Sequence, residues 1–368
     1  MIPTNLSELV TFIPNKTIPI HNWFYYKEGF SRDFAKWAIK EFNLQEPILD
    51  PFCGSGTTLL AAKELGKQAM GFDVSPLAAL ASKVKTRNYD VEELESYYSE
   101  FREFPTNFEG TAPLDKRVRK LFYKPVLDEI WALKRQVEGI PAAKTRELFL
   151  LALIDTAGRV ANVQKVGGSL RKQKKGVLPA KKLFLGKIRK MIIDLEKQNK
   201  NGIEPEVLEA DARIAQLKPD SIGSVLTSPP YLNKIEYASV YKLELGMFFG
   251  CQGTRLRAYI ADSGEEEKTV LPELEGMPSI VKAYFADLKL VLENLHMGTQ
   301  NSAKVIFELA GGCFPDRNVE SDELLARLAE SAGFKHLQTI PCRQIPCHKF
   351  RSMKTGTVRE SVVLLEKR

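Results

Sequence analysis

The stretch of residues 48–65 constrains the fold more than any other part of the chain. An apolar run ends in Asp50, a turn containing Gly54 and Gly56 follows, and residues 59–65 have a helical composition. Glycine adopts backbone torsions that other residues avoid, and it lets the backbone approach a ligand closely. The stretch therefore predicts a strand, a tight glycine-rich turn and the start of a helix, which is the first unit of an α/β fold.

A second apolar run, residues 69–72, ends in Asp73. An acid at the end of the second strand, about twenty residues after the turn, is where α/β proteins hold a ribose diol. The turn lacks the last glycine of the dinucleotide fingerprint, and Asp50 beside it disfavours a phosphate and favours a cationic ligand. S-adenosylmethionine, which carries an ammonium and a sulfonium, meets both conditions. The alternative is a structural strand, turn and helix without a ligand.

The composition indicates an ordinary globular protein. The chain has 368 residues, of which 44% are hydrophobic and 27% charged. Its sequence shows neither a membrane-spanning run nor a signal-peptide pattern, so we expect a cytoplasmic protein that does not associate with membranes. The five cysteines form no C-x-x-C pair. We therefore expect no metal site and no disulfide framework.

Positive charge is concentrated in the middle of the chain. The net charge is +7, but residues 111–200 hold 22 Lys and Arg against 8 Asp and Glu, whereas the remainder holds 31 against 38. One segment thus carries all of the excess positive charge. Such polarity suits a protein that presents one face to a polyanion.

This basic segment lies in a region, residues 91–204, that interrupts the α/β alternation. Helical patterns cover residues 92–103, 114–138, 143–163 and 180–198. A Gly- and Lys-rich run at 164–176 predicts a mobile loop. We expect nucleic-acid contact through the basic residues of this run, and the alternative is a solvated charged surface. The residues concerned are Lys165, Arg171, Lys172, Lys174 and Lys175.

A second motif, Ser228-Pro229-Pro230-Tyr231, follows the apolar run at 222–227. Open α/β sheets bind ligands at the carboxyl ends of their strands. Two prolines remove two N–H donors and stiffen the backbone, so the carbonyls and the serine hydroxyl remain as acceptors. Rigid acceptors beside an aromatic ring suit a planar base that carries an amino group. The alternative is a proline turn with a surface tyrosine.

Together these motifs resemble those of the DNA amino-methyltransferases, which methylate exocyclic nitrogens of bases. Residues 50–58 resemble their cofactor loop, and Ser228-Pro229-Pro230-Tyr231 resembles their catalytic motif in the form typical of cytosine-N4 enzymes. Residues 29–31 are similar to the element that closes over the methionine part of the cofactor, and residues 358–365 resemble the terminal strand. The resemblance implies a Rossmann-like methyltransferase fold: a mostly parallel seven-stranded sheet with a terminal antiparallel hairpin. It divides the chain into a catalytic domain, 1–90 and 205–368, and a basic helical insertion for DNA binding or target recognition, 91–204.

The resemblance also implies roles for individual residues. Tyr231 would stack on a target base flipped out of the duplex, while Ser228 and the Pro229 carbonyl would accept hydrogen bonds from its amino group. Transfer would be direct and in line, without a metal. Asp73 would bind the ribose hydroxyls and Asp211 the adenine amino group of S-adenosylmethionine. The implied cofactor-binding residues are Phe30, Ser31, Asp50, Pro51, Phe52, Cys53, Gly54, Gly56, Thr57, Thr58, Asp73, Val74, Ser75, Asp211 and Ala212.

The sequence thus predicts a site-specific DNA methyltransferase that modifies N4 of cytosine in double-stranded DNA. A restriction-modification system with a cognate endonuclease and a nucleoid-associated location would fit this activity. Three alternatives stay open: an adenine-N6 DNA methyltransferase, an RNA guanine-N2 methyltransferase, and a non-catalytic nucleic-acid-binding protein. Serine at position 228 favours cytosine, because adenine-N6 enzymes more often have Asp or Asn there. The intact Ser-Pro-Pro-Tyr motif argues against a non-catalytic protein.

Overall fold

The computed structural model describes residues 3–26, 29–106, 112–166, 169–198, 201–232, 237–250, 270–347 and 356–368. The helices in these ranges are α1 (Leu6–Leu9), α2 (Arg32–Glu41), α3 (Thr57–Glu64), α4 (Pro76–Thr86), α5 (Val91–Glu103), α6 (Lys116–Arg119), α7 (Lys124–Glu138), α8 (Ala143–Val160), α9 (Ala180–Glu196), α10 (Tyr237–Val240), α11 (Lys242–Phe248), α12 (Ser279–Gly298) and α13 (Ser321–Ser331). The strands are β1 (Ile48–Asp50), β2 (Ala69–Asp73), β3 (Val163–Val166), β4 (Ser169–Lys172), β5 (Glu206–Glu209), β6 (Ile222–Thr227), β7 (Thr299–Ala310), β8 (Gly312–Cys313), β9 (Asn318–Val319), β10 (Phe334–Pro346) and β11 (Thr357–Lys367). Short 3₁₀ turns lie at Ile13–Lys16, His21–Trp23 and Pro272–Leu274.

Seven strands form one sheet in the order β10-β11-β7-β6-β1-β2-β5. Strands β7, β6, β1, β2 and β5 are parallel, whereas β11 runs antiparallel to both β7 and β10. The predicted mostly parallel sheet with a terminal antiparallel hairpin is confirmed. Strand β1 has β2 on one side and β6 on the other, so the strand order reverses there. Ligands of open α/β sheets bind outside the carboxyl ends of the strands at such a point.

Helices cover both faces of the sheet, which explains why its central strands β1 and β6 are buried along their whole length. Successive side chains of a strand point to opposite faces. On β7, Val305 and Phe307 pack with residues of α12 and α13, whereas Ile306 packs with residues of α1, α2 and α3. The sheet is therefore the middle layer, and its carboxyl edge is the part of the parallel strands left open to a ligand.

The helical insertion shares a hydrophobic core with the rest of the chain. Buried residues of α5, α7, α8 and α9 form one cluster with Leu77 of α4 and Trp23. Two expectations for this region need correction. The predicted helix at 114–138 is divided into α6 and α7, because the chain turns at residues 120–123. The insertion also contains a β-hairpin.

The run at 164–176, expected to be a loop, is a hairpin of β3 and β4 as far as Lys172. The side chains of Val163 and Leu170 pack against the helical core, and this burial favours pairing of the strands over a solvated loop. Gly167 and Gly168 of this run are outside the described residues.

One further expectation was wrong. Cys313 and Cys347 form a disulfide, with their Cα atoms 6.2 Å apart. The cysteines are separated by 34 residues. Cys313 comes soon after β7 and Cys347 directly after β10, and the pairing of both strands with β11 brings them together, so their spacing in the sequence does not reveal the pair. As for membranes, none of the helices in the described ranges combines the length and apolarity needed to cross one.

Candidate active site

Asp50 lies at the switch point of the sheet, at the end of β1, and is 3% exposed. Its Oδ1 accepts hydrogen bonds from Thr227 Oγ1 (2.6 Å) and the Phe52 amide (3.1 Å), and its Oδ2 accepts from Thr58 Oγ1 (2.7 Å). Burial raises the pKa of Asp50 to about 6, while these hydrogen bonds lower it. The carboxylate thus connects the ends of β1 and β6 with the start of α3.

The turn after β1 needs its two glycines. Gly54 (φ +51°) and Gly56 (φ +82°) both have left-handed backbone conformations, which strain other residues. A Cβ on Gly56 would also lie 2.5 Å from Ser82 Oγ of α4. The Cys53 thiol inside the turn is buried, which raises its pKa well above the usual range. A buried thiol of high pKa is a poor nucleophile.

The other predicted residues of this turn lie around the same point. Pro51 is buried, Phe52 is half-buried, and Thr57 is half-buried as the first residue of α3. The start of α3 therefore lies beside the carboxyl end of β1, where Thr58 donates to Asp50.

Asp73 ends β2 beside this turn. Its Oδ2 accepts from the Gly54 amide (3.0 Å) and its Oδ1 from the Ser75 amide (2.8 Å). Burial raises the pKa of Asp73 to about 6, while these two hydrogen bonds lower it. A carboxylate has about four lone-pair sites, so two amides leave capacity for a diol. Val74 is half-buried, and the Ser75 hydroxyl caps α4 by accepting from the Ala78 amide (3.4 Å).

Asp211 follows β5 rather than ending it. The strand stops at Glu209. The Asp211 carboxylate instead accepts from Arg213 Nη2 (2.6 Å) and Nε (3.0 Å), and Arg213 Nη1 donates to Asp287 (2.9 Å). These carboxylates raise the pKa of Arg213 further. Arg213 and Asp287, which the sequence did not single out, orient Asp211, while Ala212 is buried beside it.

The segment before α2 is held by local contacts. The Ser31 hydroxyl accepts from the Phe34 amide (3.1 Å), so Ser31 is the N-cap of α2. Phe30 is 4% exposed and packs on Phe34, with ring centroids 4.8 Å apart. The Asn15 amide group donates to the Phe30 carbonyl. These contacts fix the segment against the sheet next to the cofactor turn.

The Ser-Pro-Pro-Tyr motif follows β6 directly and meets two buried carboxyl groups. Ser228 Oγ donates to Glu308 Oε2 (2.8 Å). The Tyr231 hydroxyl lies 2.7 Å from both oxygens of Glu308 and 2.9 Å from Glu360 Oε1. Glu308 is 0% and Glu360 1% exposed. Between Ser228 and Tyr231, Pro229 is buried and Pro230 half-buried.

A cation compensates this pair of carboxyl groups. Arg343 Nε on β10 pairs with Glu360 Oε2 on β11. Two carboxylates near one phenolic oxygen repel each other unless an opposite charge lies nearby. Burial, Glu308 and Glu360 all raise the pKa of Tyr231, so its hydroxyl stays protonated. In this geometry Ser228 donates to Glu308, and a lone pair of its oxygen can accept from an amino group.

Sequence reasoning missed Glu308, Glu360 and Arg343. A signal was present, because Glu308 lies inside the apolar run 305–310 and Glu360 inside the run 358–365. A carboxyl group in a buried strand needs a partner. The identity of that partner depends on the order of the strands in the sheet.

The predicted DNA-binding residues fall into two groups. Arg171, Lys172 and Lys174 are exposed. Lys175 is half-buried, and its Nζ donates to the Arg159 carbonyl (3.0 Å). Lys165 turns inward: its Nζ lies 2.6 Å from Glu244 Oε1. DNA contact by these five residues stays a prediction.

The cofactor half of the site fits S-adenosylmethionine. The chain places acids at or just beyond the ends of three adjacent strands, β1, β2 and β5. These acids surround the turn in which Gly54 and Gly56 lack Cβ atoms. Asp73 can accept further hydrogen bonds from a diol. Asp211 follows β5, the strand next to β2 in the sheet, and its carboxylate is held by Arg213. These carboxylate acceptors suit a cationic nucleoside rather than an anionic pyrophosphate. In the described ranges, no group of three His, Cys, Asp or Glu side chains could hold a metal ion.

Comparisons with known proteins agree with this geometry. A family model described as DNA methylase, covering the N6 and N4 enzymes, matches residues 19–83. The Type II methyltransferase M.BsoBI of Geobacillus stearothermophilus is 27% identical, over 98% of this chain and 88% of its own. The Type II methyltransferase M.AvaI of Nostoc sp. is 22% identical, over 89% of this chain and 81% of its own.

Among solved structures, the glycopeptide N-methyltransferase MtfA aligns with 92% of this chain and 96% of its own at 10% identity and a TM-score of 0.35. A match at this score does not define the fold. The sheet order described above defines it.

Proposed function

We propose that this chain, a member of the S-adenosylmethionine-dependent DNA methyltransferases of the N4/N6 family, methylates the exocyclic N4 amino group of cytosine. The observation that carries the proposal is the hydrogen bond from Ser228 Oγ to the buried Glu308 carboxylate, 2.8 Å long. It gives the first residue of the motif a defined direction: the hydroxyl proton points to Glu308, and the oxygen accepts from the substrate.

The Ser228 oxygen and the Pro229 carbonyl would accept the two hydrogens of the amino group. Two acceptors draw the nitrogen lone pair out of conjugation with the ring, which raises its nucleophilicity. S-adenosylmethionine, when bound, supplies the electrophilic methyl group on its sulfonium. Positioning and electrostatics therefore provide the catalysis, and Cys53, buried in the cofactor turn, takes no part as a nucleophile.

The methylated nitrogen must lose a proton to regain neutrality. Ser228 Oγ would accept this proton from N4 while its own hydroxyl proton passes to Glu308 Oε2. Glu308 is 0% exposed, so the proton moves to a site shielded from water. General acid-base steps of this kind contribute about 10²- to 10⁴-fold to rates.

Tyr231 would stack on the flipped base. The target amino group is paired in the duplex, so the base must leave the stack before it can react. The hydroxyl of Tyr231 is held by Glu308 and Glu360, which lie on two different strands. Holding the hydroxyl restrains the position of the ring on which the base would stack.

Double-stranded DNA would be the substrate, with the insertion 91–204 as the region that contacts it. The exposed side chains of Arg171, Lys172 and Lys174 support backbone contact. M.BsoBI and M.AvaI are named Type II methyltransferases. On this basis we propose a role in restriction-modification beside a cognate endonuclease, in the cytoplasm and at the nucleoid.

Nucleoside analysis tests this proposal. The full chain is incubated with methyl-labelled S-adenosylmethionine and duplex DNA of mixed sequence, and the DNA is digested and separated with mass detection. We expect N4-methylcytosine from the wild type and loss of the label in Ser228→Ala. Label in N6-methyladenine would overturn the choice of cytosine and leave the family assignment intact. A parallel reaction contains RNA in place of DNA, and label in RNA but not in DNA would overturn DNA as the substrate.

A further inference from the structure

Three side chains connect the hairpin β3–β4 to the cofactor turn. Lys165 Nζ lies 3.9 Å from the centroid of the Tyr241 ring. The rings of Tyr241 and Tyr26 are parallel within 2°, with centroids 4.7 Å apart. The Tyr26 ring in turn lies against Gly54, where a Cβ would be 3.7 Å from its Cδ1 atom. A continuous line of contacts thus leads from the basic hairpin to the turn that ends β1.

The ammonium group at the end of this line is held in place. Lys165 Nζ forms an ion pair with Glu244 Oε1 (2.6 Å), and the Glu244 side chain is 2% exposed. The second oxygen, Glu244 Oε2, is buried and has no hydrogen-bond partner in the described part of the chain. A buried carboxylate needs a compensating cation, so Lys165 is fixed over Tyr241 rather than swinging into solvent.

The alternation of the hairpin explains why Lys165 differs from Arg171. Val163 and Lys165 lie on one face of β3, and Lys165 is paired in register with Leu170. Val163 is 5% exposed and Leu170 packs against the helical core, so this face points inward. Gln164 and its register partner Arg171 lie on the other face, and both are exposed.

We propose that Lys165 is a positioning residue for the cofactor pocket, not a DNA contact. Its ammonium group fixes the Tyr241 ring, and the parallel Tyr26 ring then forms a firm wall over Gly54. Cation–π and stacking contacts both favour this arrangement. Gly54 also donates its amide to Asp73, so the wall steadies the loop that presents the ribose acceptor. The inference rests on S-adenosylmethionine as the cofactor and not on the choice of base.

The test measures the dissociation constant for S-adenosylmethionine by calorimetry, with the full chain and without DNA. The variant Lys165→Met combined with Glu244→Gln removes both charges, so no buried charge is left unpaired. We expect its Kd to rise about tenfold, which corresponds to about 1.4 kcal/mol. In the methylation assay we expect the KM for S-adenosylmethionine to rise while kcat stays near the wild-type value.

Two further variants serve as controls. Lys165→Arg keeps a cation over the ring and opposite Glu244, so we expect its Kd to stay within about twofold of the wild-type value. Lys182→Met removes an exposed lysine from α9 of the same insertion and should leave the Kd unchanged. Loss of affinity in the double variant with rescue by arginine would separate positioning by a cation from a general loss of packing.

An unchanged Kd together with a flatter salt dependence of DNA binding in the double variant would overturn the inference, because Lys165 would then be a phosphate contact. If circular dichroism shows that the double variant does not fold, Tyr26→Leu keeps the ion pair and should weaken S-adenosylmethionine binding in the same way. Wild-type affinity in that variant would equally overturn the inference. Absence of binding by the wild-type chain would instead overturn the cofactor assignment.

Discussion

The two halves of the carboxyl edge are built in different ways. In the cofactor half, most partners are close in the sequence: Phe52 and Thr58 lie 2 and 8 residues from Asp50, and Gly54 lies 19 residues from Asp73. In the catalytic half, Ser228 lies 80 residues from Glu308, and Tyr231 lies 129 residues from Glu360. One half is encoded by a local motif and the other by strand order.

The two halves also treat buried charge differently. The carboxylates of Asp50 and Asp73 accept from neutral amides and hydroxyls, and burial raises both pKa values to about 6. Glu308 and Glu360 instead share one tyrosine hydroxyl, and Arg343 supplies a full positive charge. We infer that the cofactor half is suited to bind a cation and the catalytic half to move a proton. Substitutions should therefore affect binding in one half and turnover in the other.

The largest effect is expected for Glu308→Gln. The amide cannot take the proton that Ser228 releases, so turnover should fall by about 10²- to 10⁴-fold. The affinity for S-adenosylmethionine should not change, because Asp50 and Asp73 remain. Single-turnover methyl transfer and calorimetry measure the two quantities. Glu366→Gln, on β11 but paired with Lys304 at the other end of the sheet, is the matched control and should behave as wild type.

A smaller effect in the opposite half is expected for Asp73→Asn. A hydrogen bond to a charged group contributes about 1.5–3 kcal/mol, so S-adenosylmethionine affinity should fall at least about tenfold. At saturating cofactor the turnover should be close to the wild-type value. Equal affinity of the variant and the wild type in calorimetry would remove Asp73 from the cofactor site.

The raised pKa of Asp73 gives this prediction a pH dependence. The ionised carboxylate is a stronger acceptor for the diol than the protonated acid and carries the negative charge that attracts a cation, so affinity is highest above about pH 6 and falls as the pH drops through that value. Asp73→Asn should flatten this dependence. Part of the slope should remain, because the pKa of Asp50 is also about 6. A pH dependence identical in variant and wild type would contradict the assignment.

Tyr231→Ala tests whether the Tyr231 ring in the catalytic half stacks on a base. Loss of base stacking is expected to weaken productive DNA binding by about 1–3 kcal/mol. Tyr231→Phe keeps the ring and loses the contact with Glu308 and Glu360, so it separates stacking from orientation. Titration of fluorescent DNA gives both affinities. If alanine and phenylalanine variants bind DNA equally well, the ring does not stack on a base.

The smallest effect per residue is expected in the hairpin region, outside both halves. Changing Arg171, Lys172, Lys174 and Lys175 to Ala should weaken binding to all DNA sequences alike. The salt dependence should flatten by roughly one unit for each lost phosphate contact. Lys175 should contribute least, because its Nζ donates to the Arg159 carbonyl. An unaltered salt slope would show that these residues form a solvated charged surface and do not contact phosphates.

Local sequence was enough to predict the glycine turn and the acids that end β1 and β2, because neighbouring residues determine each of them. The resemblance to a known family supplied the seven-stranded sheet. The partners of Ser228 and Tyr231 could not be predicted, since they lie on strands that only the folded sheet brings together. The hairpin at 163–172 was not predicted. The glycine and lysine content of the run 164–176 is typical of a loop and gives no sign that Val163 and Leu170 face inward.

The most direct test of this picture is a double-mutant cycle between Ser228 and Glu308, measured as the single-turnover rate of methyl transfer at saturating S-adenosylmethionine and DNA. Residues that act as one unit show strongly non-additive losses. We expect the combined Ser228→Ala and Glu308→Gln variant to be about as slow as the slower single variant. Losses that multiply would show that the two residues act independently, and would contradict a proton path from the substrate through Ser228 to Glu308.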